Sequence, residues 1–291
     1  MNKFLKGVLN IFMALVAFFA SILLQGVLIL PVMFYYMSSL KAMGKLENGA
    51  GFVELLKGIT KLSDLAVWVT VAWGILGVFV FLLWYKRVTK EENKIRFFTG
   101  FSGYTVIGFV FITIGAQLFI NYACEILEGV FSNVFSQYES LMDMSGLSTV
   151  GTIVMLVYGI FIAPIHEEIL FRGVIMHYSK KAVPFVIANF IQALLFGIMH
   201  MNIVQSTYAF LVGLILGYVF EKSKNLTSTI VIHIMFNIMG SFPIIKTLPG
   251  NPLLGNIIVS VVGLMVLVVG IVFYNYYIKE RGLIISGKRY D

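Results

Sequence analysis

Seven stretches of this sequence run for twenty residues or more without a single Asp, Glu, Lys or Arg: residues 7–40, 65–85, 97–124, 146–165, 183–220, 226–245 and 247–278. A hydrocarbon core of ~30 Å takes about twenty apolar helical residues to cross, so each stretch is long enough to span a bilayer. A backbone in lipid has to satisfy its own hydrogen bonds, and a chain patterned in twenties does so as helices. Composition agrees, with 59% hydrophobic and 12% charged residues and a mean hydropathy of +0.93. The sequence therefore predicts an all-α, polytopic membrane protein.

The stretch 183–220 would make a helix of ~57 Å at ~1.5 Å per residue, too long for one crossing. It divides into two spans with a turn near Met201 and Asn202, which gives eight transmembrane helices. With the N-terminus inside, sixteen Lys and Arg fall on the inner side and five on the outer, which puts both termini in the cytoplasm. The first stretch follows Lys3 and Lys6, as a secretory signal would, but its length favours a retained anchor. Between the first two spans, Phe52, Val53, Leu55, Leu56, Ile59 and Leu62 recur at helical spacing, the pattern of an amphipathic helix near 52–62 lying on the membrane face. The net charge of +7 is spread between spans rather than gathered in a patch, so the expected partner is the lipid bilayer, with no nucleic acid. Cys124 is the only cysteine, which excludes an internal disulfide framework and a CxxC pair.

Ionisable groups within a span are costly and point to function. Every Asp and nine of the eleven Glu lie outside the expected spans. The exceptions are Glu167 and Glu168, followed by Arg172, in an otherwise apolar run. Glu168 and Arg172 are i and i+4 with the acid first, the favourable order for an ion pair. Glu167 is turned about 100° from Glu168 on the same helix. One carboxylate is then neutralised and the other left for chemistry; a purely structural triad is the competing reading. Phe196 and His200 share a face near the end of the fifth span, and His233 and Asn237 share one in the seventh. Counted from their nearest turns, Glu167, His200 and His233 fall at depths of ~21, ~28 and ~14 Å, so convergence requires tilt or a deeper start for the seventh helix.

The ordered set Glu-Glu-x-x-x-Arg, Phe-x-x-x-His and His-x-x-x-Asn resembles the CPBP family of intramembrane proteases, also called the Abi family. That family includes type II CAAX prenyl endopeptidases and bacteriocin self-immunity proteins. The resemblance covers residues 161–240, whereas the first 140 are similar only in being hydrophobic spans. It implies a single membrane-embedded domain, with N-terminal helices over 1–140 and a catalytic core over 141–291. It further implies a glutamate-dependent endopeptidase in the cell membrane that cuts a membrane-associated peptide or protein. Candidate substrates are a CAAX-type C-terminus, a peptide precursor or a bacteriocin-like peptide. The family's water-activating pair falls on Glu167 and His200 and its oxyanion pair on His233 and Asn237, with Glu168, Arg172 and Phe196 in support.

The residue chemistry fits those roles, since peptide hydrolysis needs a base for water, donors for the oxyanion and an acid for the leaving amine. Leu170 stands where the zinc-protease helix HExxH needs its second His, no Asp lies within a span, and no Gly-x-Ser-x-Gly occurs. The expected site needs no cofactor; a zinc ion held by Glu167, His200 and His233 is the alternative. His166 is expected to pack beside the acids, His177 to face headgroups, and Cys124 to be inert. Pro164 frees a backbone carbonyl one turn before the glutamates. Two other functions compete: a catalytically silent immunity or scaffold protein of the same fold, and a transporter with the polar set along its path.

Overall fold

The computed structural model describes residues 2–42, 63–89, 103–136, 149–241 and 251–285. Eight principal helices account for nearly all of them: α1 (Lys3–Ala42), α2 (Ser63–Val88), α3 (Gly103–Val130), α4 (149–182), α5 (Phe185–Met199), α6 (Ile203–Ser223), α7 (Leu226–Ser241) and α8 (Pro252–Ile285). Among the described residues there is no strand. The protein is an all-α, multi-pass membrane protein: α1, α2, α3, α4, α6 and α8 are long and apolar enough to cross a bilayer, and α5 and α7 are shorter apolar helices. The amphipathic segment expected near 52–62 lies outside the described residues.

Burial is inverted relative to a water-soluble bundle. Phe12, Leu23, Leu83 and Met265 stand more than half exposed, whereas Glu168, Arg172 and Gln192 are fully buried. Apolar side chains facing acyl tails cost nothing, and a charge facing them costs several kcal/mol, so the polar groups collect between helices. Two cores result. One joins α1, α2, α4 and α5 through Ala14, Phe81, Leu170, Phe171 and Leu195. The other joins α3, α6, α7 and α8 through Ile112, Leu216, Ile232 and Leu267.

As the sequence predicts, the fourth span carries Glu167, Glu168 and Arg172 within one helix, which runs on to Ala182. The charges do not break it because Glu168 and Arg172 pair with each other inside the protein. The expected turn near Met201 and Asn202 is present. Met201 takes a positive φ of 51°, and the Asn202 side chain accepts from the N–H groups of Val204 and Gln205 to start α6.

The two short helices settle the depth mismatch. At 15 and 16 residues, α5 and α7 reach only ~22 to ~24 Å. Lys224, with φ 52°, turns the chain after α6, and Asn225 caps α7 by accepting the Thr227 N–H. Leu226, Thr227, Ser228 and Thr229 are all buried, so α7 starts inside the protein rather than at its surface. In that position His233 Nε2 lies 3.7 Å from Glu167 Oε2.

α3 and α8 approach backbone to backbone. A Cβ on Gly263 would stand 2.5 Å from the Phe119 amide nitrogen, and one on Gly115 would run into the Leu267 backbone. Small residues permit such contact, which replaces the hydrophobic drive that is absent within lipid. Gly263→Val is expected to destabilise the protein by about 1–3 kcal/mol, the usual cost of overpacking, read as a lower melting temperature in detergent. Gly129→Ala, where an added Cβ meets nothing within 4 Å, is expected to leave that temperature unchanged or raise it.

Candidate active site

The acid pair sits on a helix that changes pitch twice. The segments Tyr158–Ile162 and Ile169–Ile175 are π-helical and flank the α-helical turn Ala163–Glu168. The Ala163 N–H donates to Tyr158 and the Met176 N–H to Phe171, five residues back instead of four. Such widened turns are frequent at functional sites because they reset which residues share a face. Pro164 follows directly and has no N–H. In the five-residue register its bond would have gone to the Gly159 carbonyl, and the Asn237 Nδ2–H donates to that carbonyl instead, at 2.7 Å. The carbonyl expected to be freed by Pro164 is thus what anchors Asn237 to α4.

One turn on, the two glutamates diverge as their spacing predicts. Glu168 is wholly buried, and its Oε1 accepts from Arg172 Nη1 at 2.9 Å and from His233 Nδ1 at 2.9 Å. Arg172 also donates to the Gly213 carbonyl on α6, at 3.2 Å, and lies over the Phe196 ring at 4.7 Å. A charge this deep is tolerated only when paired and hydrogen-bonded. Glu167 lies on the other side, its Oε2 3.7 Å from His233 Nε2, and faces a cavity of about 570 Å³.

Glu167, His200, His233 and Asn237 all line that cavity, so α4, α5 and α7 bring the four expected residues together. Hydrogen-bond partners place a proton on Nδ1 of both imidazoles. A carbonyl oxygen only accepts, so His200 Nδ1, 2.9 Å from the Phe196 carbonyl, carries a proton. His233 Nδ1 likewise donates to the Glu168 carboxylate, which leaves Nε2 to meet Glu167. Phe196 is the hub between them, its ring edge-on to His200 (5.1 Å), His233 (5.7 Å) and Phe171 (5.0 Å).

The remaining candidates lie elsewhere. His166 points away from the acids, with Nε2 3.4 Å from Ser21 Oγ and its ring edge-on to Trp73. Gly77 on α2 leaves room for that ring: an added Cβ would come within 2.5 Å of its Nε2. His166 therefore packs α1 and α2 against α4, as expected of an ancillary residue. His177 is half-buried with its ring edge against Tyr178. Cys124 is half-buried beside a separate apolar cleft between α3 and α6. Among the described residues, no three His, Cys, Asp or Glu side chains are grouped so as to hold a metal ion.

Charge counting misses part of the wall. Tyr158 on α4 and the amides Gln117 and Asn121 on α3 also line the cavity. The amides are uncharged, but their i, i+4 spacing within an apolar run carries the same signal as the histidine pairs.

If Asn237 replaces the missing proline N–H, Asn237→Ala leaves the half-buried Gly159 carbonyl without that donor and costs about 0.5–1.5 kcal/mol of stability. Pro164→Ala in that background supplies the N–H from the helix itself and is expected to recover about 0.5–1.5 kcal/mol. Unfolding of both variants in detergent checks this; no recovery would mean that the two residues do not share that carbonyl.

Comparison with known proteins finds a match over this same region. Residues 149–239 match the family model of Type II CAAX prenyl endopeptidase Rce1-like proteins. No curated protein and no solved structure matches the chain. The matched segment contains Glu167, Glu168, Arg172, Phe196, His200, His233 and Asn237, and over it the chain is similar to the Rce1-like type II CAAX prenyl endopeptidases.

Proposed function

We propose that this protein is an intramembrane endopeptidase that hydrolyses peptide bonds with water activated by Glu167 and His200. The observation that carries the reading is the single cavity lined by Glu167, His200, His233 and Asn237, with the second carboxylate held away from it by Arg172. Glu167 is the acid that Arg172 leaves available. A water between it and His200 gives one proton to the carboxylate while its remaining O–H donates a hydrogen bond to His200 Nε2. The resulting hydroxide adds to the scissile carbonyl carbon.

The oxyanion then needs donors. Asn237 keeps one N–H beyond the one given to Gly159, and His233 has Nε2 on the cavity side. Because His233 Nδ1–H is committed to Glu168, donation from Nε2 requires the doubly protonated ring. The Glu168 carboxylate is its counter-charge. When the C–N bond breaks, Glu167 returns its proton to the leaving amine and the carboxylate is regenerated. No step calls on a metal.

The family match supports a membrane-associated peptide or protein as substrate, and a CAAX-type C-terminus is the first to test; a peptide precursor or bacteriocin-like peptide is the second. The cell membrane is the proposed location. Reconstituted vesicles and a fluorogenic CAAX-type peptide, farnesylated and unprenylated, supply the assay. Glu167→Gln is expected to lower turnover by about 10²–10⁴-fold, the range for loss of a general base, while a chelator leaves the wild type unchanged. Cleavage surviving Glu167→Gln would remove Glu167 from the chemistry. Loss to chelator would favour a metal, and no cleavage of any peptide by the wild type would favour the silent immunity or scaffold alternative.

A further inference from the structure

The cavity wall holds an amide side chain that the reaction does not use. Gln117 lies on α3, outside the matched segment 149–239, and is only 6% exposed. Its Nε2 donates to Asn121 Oδ1 at 3.0 Å, which fixes the plane of the amide. Among the described residues its Oε1 is buried without a hydrogen-bond partner. Buried side-chain oxygens are nearly always paired, and one left unpaired at a cavity marks a place prepared for a donor. The backbone beneath it is held firmly, since Gly115, two residues earlier, is pressed against the Leu267 backbone of α8.

Position says which donor. A Cβ on Gly240 would lie 3.6 Å from Gln117 Nε2, so Gln117 meets α7 about one turn beyond Asn237. One turn is ~5.4 Å, and an extended peptide covers that in about two residues at ~3.3 Å each. An extended strand offers alternating C=O and N–H groups. Asn237 and His233 can donate to a carbonyl, whereas a backbone N–H needs an acceptor. An uncharged amide oxygen supplies it without burying another charge.

We propose that Gln117 is a substrate-binding residue whose Oε1 accepts a backbone N–H of the bound peptide, about two residues from the scissile carbonyl. The site then extends beyond the family-matched helices into the N-terminal half. This inference rests on the peptide-hydrolase reading above, and it also holds for a protein that binds a peptide without cutting it.

The test uses the full chain in vesicles with the same farnesylated fluorogenic CAAX-type peptide and a set of analogues, each N-methylated at one backbone amide. Gln117→Leu is expected to raise KM about tenfold while kcat changes less than about twofold. On the wild type, one N-methyl analogue is expected to show a similar loss, and Gln117→Leu is expected to add nothing further to it. A merely structural Gln117 would lower stability but leave the N-methyl profile the same in both proteins, and that result overturns the proposal. Binding of the uncleaved peptide to Glu167→Gln, read by fluorescence anisotropy, separates the two claims. If Gln117→Leu weakens that binding while the wild type cuts nothing, the substrate contact stands and the hydrolase reading falls. If cleavage depends on Glu167 but neither KM nor binding responds to Gln117, the hydrolase stands and this inference falls. A peptide that is neither bound nor cut overturns both.

Discussion

A single buried oxygen, Oε1 of Glu168, organises the membrane interior of this protein. It receives Arg172 from its own helix and His233 from α7, each at 2.9 Å. Arg172 passes the linkage to α6 through the Gly213 carbonyl and to α5 through the face of Phe196. A carboxylate in hydrocarbon is costly alone and tolerable when its charge is answered and its lone pairs are used. Four helices are thereby held in one relation. The same contacts put a proton on His233 Nδ1 and leave Glu167 as the carboxylate that looks into the cavity.

The backbone of α4 adds a second constraint with the same logic. Widened turns on either side of the acids let Glu167 and Glu168 face different surroundings. The proline between them removes a helical donor, and Asn237 supplies its replacement from across the bundle. One side chain thus serves the fold through one N–H and has a second that the proposed reaction uses. This dual use explains why an irregular backbone is tolerated at that depth: the irregularity is paired within protein and borders a cavity instead of lipid.

Much of this is legible in the letters, and the reasons are specific. Charge-free stretches give the helices because lipid leaves the backbone no other partner. The spacing of Glu168 and Arg172 gives the ion pair, and elimination leaves Glu167 for the reaction. Sequence alone does not show that α4 widens on both sides of the acids. It leaves His233 too shallow, because the buried start of α7 depends on the Asn225 cap and on packing against α6. Gln117 escapes notice since an uncharged amide does not register in a search for charges, and its partnerless oxygen shows only in three dimensions.

The shared carboxylate is the claim on which the rest depends, and a double-mutant cycle measures it directly. Unfolding free energies in detergent for Glu168→Gln, His233→Gln and the pair are expected to give a coupling of about 0.5–3 kcal/mol, the range for residues in one buried network. Additive effects, with no coupling between the two positions, would contradict the account.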